Sequence, residues 1–143
     1  MMVSTNHHSK MEVTNLLTFT DRRQLREWFA QNHLSERCCW VACNRSKTPR
    51  PDTLPYIDIV EEALCFGWID STLKKLPDGR LVQRLSPRRK GSHWTELNKQ
   101  RCRDLESRGL MTYFGLKVLH ESNEMKYGNK ETDSSREEKM QQS

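Results

Sequence analysis

The chain reads as an α+β domain: a small antiparallel sheet of about three strands packed by three to four helices. Three observations predict it. Tyr56–Phe66 repeats its apolar residues at helical spacing and then meets Gly67. Trp68–Leu76 and Arg80–Leu85 are strand-like runs on either side of Pro77-Asp78-Gly79, and Asp-Gly between such runs signals a hairpin. Cys38–Asn44 is a short run with Trp and Val, bounded by charge, as a buried strand should be.

Taken in order, residues 1–12 are polar and aperiodic and are expected to be disordered. Val13–Phe19 has a short apolar core at Leu16-Leu17. Asp21 followed by Gln24 has capping-box spacing and opens a helix that runs to about Asn32. Leu25, Trp28 and Phe29 form its apolar face, and Arg22, Arg23, Arg26 and Glu27 are assigned to solvent. Burying each of those three apolar side chains stabilises by roughly 1.5–3 kcal/mol before entropy. His33 is read as the residue that ends the helix. Arg45–Pro55, with three prolines, is a loop.

In the second helix, Tyr56, Ile59, Val60, Ala63 and Leu64 share one stripe, and Asp58, Glu61, Glu62 and Cys65 the other. Gly67 stands where a helix ends in a left-handed residue. After the hairpin, Leu81, Gln83 and Leu85 alternate with Arg80, Val82 and Arg84, so facing is open. Ser92 is expected to cap a third helix running to about Arg108, lined by Trp94, Leu97, Arg101 and Leu105. A short fourth helix follows at about Thr112–Leu119. The ordered domain is expected over 13–120, and 121–143 as a charged, disordered tail.

Composition narrows the function classes. The chain has 143 residues, enough for one domain with one core. Lys+Arg exceed Asp+Glu by 24 to 19, which favours acidic partners such as a phosphate-bearing small molecule or nucleic acid. The five cysteines are odd in number and form no CxxC, the usage of a reduced compartment, so cytosol is the default. No metal site or cofactor is expected from them, and the His7-His8 pair is read as incidental. No apolar run approaches the ~20 residues of a membrane span, so no membrane insertion is expected.

The chemistry-bearing segment is Arg80–Arg103, with eight Lys/Arg against one acid, Glu96. The loop SPRRKGS leads to a helix start, where free backbone N–H groups favour an anion. Arg84, Arg88 and Arg89 add planar donors suited to phosphate or carboxylate, with Ser92 beside them. The plainer alternative is a solvated loop whose arginines pair with the acids of the second helix. Asp70, beside Trp68, is a weak candidate general acid or base; a turn cap or an ion pair with Arg84 is the commoner use of such a residue. Trp68 and Trp94 could stack a base, though core packing is the leading expectation for Trp94. Asn98, one turn on, could hydrogen-bond the loop or a ligand.

Two blocks, EEALCFGWIDS at Glu61–Ser71 and LSPRRKGSHWTELNKQR at Leu85–Arg101, followed by RGLMT, resemble the YdeI/OmpD-associated (bacteriocin-protection) family. The likeness runs in order over about Phe19–Leu119 and is carried by Trp68-Ile69-Asp70, Pro87-Arg88 and the spacing Ser92, Trp94, Asn98. It implies a small α+β domain and a role in stress or antimicrobial resistance; it assigns no catalytic residue. Longer members continue into a second helical segment, which a charged tail replaces here. The sequence thus predicts an anion-binding module. The alternatives are a small enzyme using Asp70, or a protein-interaction module.

Overall fold

The computed structural model of the chain describes residues 12–48 and 50–127, with side chains up to 122. The disordered segments expected at the two ends fall largely on residues 1–11 and 128–143, outside those described. The elements run β1 (Leu16–Leu17), α1 (Arg22–Asn32), β2 (Cys39–Asn44), β3 (Leu54–Pro55), α2 (Tyr56–Cys65), β4 (Trp68–Lys75), β5 (Leu81–Pro87), α3 (Glu96–Ser107) and α4 (Tyr113–Tyr127).

The fold is α+β, as predicted, but the sheet is larger and mixed. Its path is β1-β2-β5-β4, with β3 also on β2. β2, β5 and β4 form the antiparallel part. β1 and β3 are two-residue parallel segments, pairing Leu16 with Trp40 and Leu54 with Cys43. β5 occupies one edge of β2 over Cys39–Cys43, so β1 and β3 share the other edge in tandem. Two residues are too few to show any alternation, which is why neither segment is visible in the sequence.

Local signals place the helices. At α1 the Asp21 carboxylate accepts from the Arg23 amide (2.8 Å) and the Gln24 side chain accepts from the Asp21 amide (3.0 Å), the predicted capping box. His33 caps the other end, its ring Nδ1 2.7 Å from the Phe29 carbonyl. Gly67 adopts φ 79° after α2. Any side chain there would press on Val118, so α4 crosses close to the α2 terminus. α3 departs from expectation. It starts at Glu96, not near Ser92, because the Thr95 hydroxyl caps the Asn98 amide at 3.1 Å. Leu97, assigned to the apolar side, is 58% exposed. α4 runs to Tyr127, past the expected end at Leu119.

The core lies between the sheet and α1, α2 and α3. Leu25, Phe29, Cys39, Val41, Ile59, Val60, Leu64, Leu85, Cys102 and Leu105 are buried there. Trp68 joins it, edge-on to Phe29 at 5.1 Å and to Trp28 at 5.9 Å. β5 pairs Leu85 with Cys39 and with Asp70, so these residues share the core face and Arg84 faces away. An extra residue at Ser71/Thr72 shifts the β4 register just beyond Asp70.

The α1–α2 seam also corrects the sequence reading. Arg22 and Arg26 do not point to solvent. Arg22 meets Asp58 at 3.1 Å, Glu61 at 3.0 Å and Glu62 at 2.8 Å. Arg26 meets Glu62 at 3.0 Å and donates to the Leu110 carbonyl at 2.6 Å. The acidic stripe of α2 is therefore internal, and it neutralises α1 and Arg108 instead of the arginines after β5.

Candidate anion-binding site

The residue that enters the molecule at the end of β5 is Arg88. Its amide donates to the Gly67 carbonyl at 3.0 Å, tying the strand end to the α2–β4 turn. That bond sets the side chain inward, and the residue is only 7% exposed. The guanidinium lies over the Trp94 ring, Cζ 3.8 Å from the centroid. Nη1 donates to the His93 carbonyl at 3.0 Å and to the Ser92 hydroxyl at 3.3 Å. Nε and Nη2 have no partner and are sealed from solvent, as is the Trp94 indole N–H. Nε and Nη2 lie along one edge of the guanidinium, and together they form the fork that grips a carboxylate or phosphate with two parallel bonds.

No carboxylate pairs with this cation. Burial pushes the Arg88 pKa down, and only the more distant charges of Cys102 and Asp70 act against that. Cys102 supplies little compensation, since burial lifts its own pKa to about 11 and it remains a thiol. An unpaired buried charge costs on the order of 3–5 kcal/mol. Stacking on Trp94 returns roughly 2 kcal/mol when the pair is desolvated.

Asp70 sits on the same side of the sheet, held by Tyr56 from the first turn of α2. The Tyr56 hydroxyl donates to Asp70 Oδ2 at 2.7 Å. Burial first, and this hydrogen bond second, raise the Tyr56 pKa to about 12, so the phenol is a proton donor in a fixed bond. The Arg45 guanidinium lies 4.7 Å above the Tyr56 ring, and the charge of Arg101 also reaches the phenol. Asn98 orients Arg101, accepting from its Nη1 at 2.9 Å.

The sequence-predicted residues therefore divide. Asp70, Arg88, Ser92, Trp94 and Asn98 come to one region. Ser92 serves there as an acceptor for Arg88 instead of as a helix cap. Arg84 does not join. It lies on the opposite face of the sheet, its Nη1 3.4 Å from the Ser71 hydroxyl, so the expected Arg84–Asp70 pair cannot form. Arg89 stands in the exposed turn that carries Gly91. Trp68 belongs to the core and offers no stacking face. Tyr56, Arg45 and Arg101 were missed. Arg101 alone carried a sequence signal, a cation in the otherwise apolar list Trp94, Leu97, Leu105.

Two surface hollows have described walls. One, of about 720 Å³, lies by Phe19, Asp21 and Trp28; the other, of about 410 Å³, lies between Arg45–Ser46 and the Asp78-Gly79 turn. Neither is lined by Asp70 or Arg88. Among the described residues no group of three or more His, Cys, Asp or Glu is placed to hold a metal ion. No described helix is long and apolar enough to cross a membrane.

Residues 17–118 match the family described as Domain of unknown function (DUF8412). The chain belongs to that family. The DUF8412 domain so defined spans β1 to most of α4 and contains every residue of the Arg88 cluster. No curated protein and no solved structure matches the chain.

Proposed function

We propose that this DUF8412 domain is a binding module for a phosphate-bearing small molecule, seated on the free edge of Arg88. One observation carries the reading: a buried guanidinium keeps its two parallel donors unpartnered. A native protein satisfies such groups unless something else supplies the acceptor. The free edge is covered, so entry requires the segment 89–95, with Trp94, to move aside. Breaking the Trp94 contact is offset by relieving the unpaired charge. Kinship with the YdeI/OmpD-associated family, suggested by the blocks quoted above, supports a cytosolic role in stress or antimicrobial resistance.

The test is a thermal-shift and calorimetric titration of the whole chain with inorganic phosphate and with phosphate esters. Ligand at 100 Kd stabilises by about 2.7 kcal/mol. Arg88→Met should abolish the shift, and Trp94 fluorescence should change on binding in the wild type alone. A wild-type melting curve indifferent to every phosphate compound, at low salt and millimolar concentration, ends this proposal.

A second reading is a small enzyme using Asp70 as acid or base. It is favoured by Oδ1 of Asp70 making no hydrogen bond among the described residues. Asp70→Asn that still binds a phosphate ester but no longer turns it over would select this reading. The interaction-module reading has less to stand on: the exposed Leu34, Ile57, Leu73, Leu97 and Tyr113 lie apart on the chain, no two within one helix or strand.

A further inference from the structure

The anion site has an acid in it. Asp70 shares the core side of the sheet, and its charge is felt at Arg88, yet the two form no ion pair. Its Oδ2 is committed to the Tyr56 hydroxyl, which fixes the carboxylate in one orientation. Oδ1 is left to accept. A bare anion placed on Arg88 meets repulsion from this carboxylate. A ligand that carries a hydroxyl beside its anionic group turns the same carboxylate into an acceptor. Charge narrows the anion. Around the Tyr56–Asp70 pair stand Arg45, Arg88 and Arg101, three guanidinium groups against one carboxylate, and the excess matches a dianion better than a monoanion.

We infer that the ligand is a phosphate monoester of a polyol or sugar. Its phosphate takes the Nε/Nη2 edge of Arg88, and a neighbouring hydroxyl donates to Asp70 Oδ1. Tyr56 is the positioning residue that holds the carboxylate for that hydroxyl. Asn98 does the same for Arg101. The inference rests on the anion-site reading and goes beyond it in naming what the ligand must carry next to the phosphate.

Four probes separate the two claims in calorimetric titrations of the full chain: inorganic phosphate, methyl phosphate, glycerol 3-phosphate and ribose 5-phosphate. At least one hydroxylated ester should bind about tenfold or more tightly than methyl phosphate, the discrimination that one hydrogen bond to a charged group supplies. Asp70→Asn should bring that ratio towards one while methyl phosphate binds as well as before or better, because the repulsion is gone. Tyr56→Phe should lower the ratio without removing phosphate binding, whereas Arg88→Met should remove binding of all four. If methyl phosphate and both hydroxylated esters bind the wild type equally, the hydroxyl claim is wrong and the anion site stands. If a preference for hydroxylated esters survives in Asp70→Asn, Asp70 is not what reads the hydroxyl and the claim is also wrong. If none of the four binds, both claims fall.

Discussion

Arg22 and Arg88 are both drawn inward by the fold, and they end in opposite electrostatic states. Arg22 finds three carboxylates, Asp58, Glu61 and Glu62, all supplied by one face of α2. Burial works against its charge, but the Glu62, Glu61 and Asp58 carboxylates outweigh it and its pKa is raised. Arg88 finds a tryptophan face, a serine hydroxyl and a carbonyl, and its pKa is lowered by burial. The first arrangement is closed: cation and anions come from adjoining helices and need nothing further. The second is open. Its missing anion is the physical reason to look for a ligand there and not at the α1–α2 seam, although that seam holds more charges.

The difference can be broken from either side. The largest effect is expected at Glu62, which is 2% exposed and bridges Arg22 and Arg26. Glu62→Ala leaves two guanidinium groups short of a partner and should destabilise by about 3–5 kcal/mol in denaturant unfolding. A loss under about 1 kcal/mol would mean that the network relaxes into water and that its closure matters little.

Arg88→Met should move stability the other way. Replacing a buried, unpaired cation by an apolar chain of similar length is neutral or stabilising by about 1–4 kcal/mol. The same variant should lose phosphate binding. Stability gained with binding lost is the signature of a site; stability lost would make Arg88 structural and equate it with Arg22.

The smallest effect is expected at Arg23, an exposed arginine that serves as the control. It pairs with Asp21 at 2.8 Å. Its side-chain hydrogen bond, together with its amide, lowers the Asp21 pKa from 3.8 to about 2. A depressed carboxylate adds stability above its unfolded value, and that stability is lost as pH falls through the folded one. The Asp21 contribution should therefore disappear between pH 3.8 and about 2. Arg23→Ala should leave the neutral-pH melting temperature almost unchanged and blunt its decline in that window. A wild-type and a variant that decline identically there would show that the pair does not form in solution.

Much of the fold is legible residue by residue. Asp21 and Gln24 announce α1, the stripe from Tyr56 to Leu64 announces α2, Gly67 ends it, and Asp78-Gly79 closes the hairpin. Each is a local rule, satisfied by residues within one turn or one strand pair. What escaped depends on partners distant in sequence. Ser92 and Thr95 are both plausible caps, and the choice turns on Arg88 engaging Ser92. β1 and β3 exist only because β2 offers an edge. Arg22 looked like a solvent residue because the acids that hold it lie 36 to 40 positions away.

By itself the sequence determined where the helices and the hairpin form, because capping, periodicity and turn chemistry act over a few residues. It also placed an excess of cations after β5. Only the tertiary structure decided which arginine among Arg84, Arg88 and Arg89 goes inside, since that follows from the face of β5 that meets α2 and from one bond between the Arg88 amide and Gly67. Whether a charge is neutralised or left open depends on which groups the packed elements bring within a few ångströms, and spacing along the chain does not report that distance.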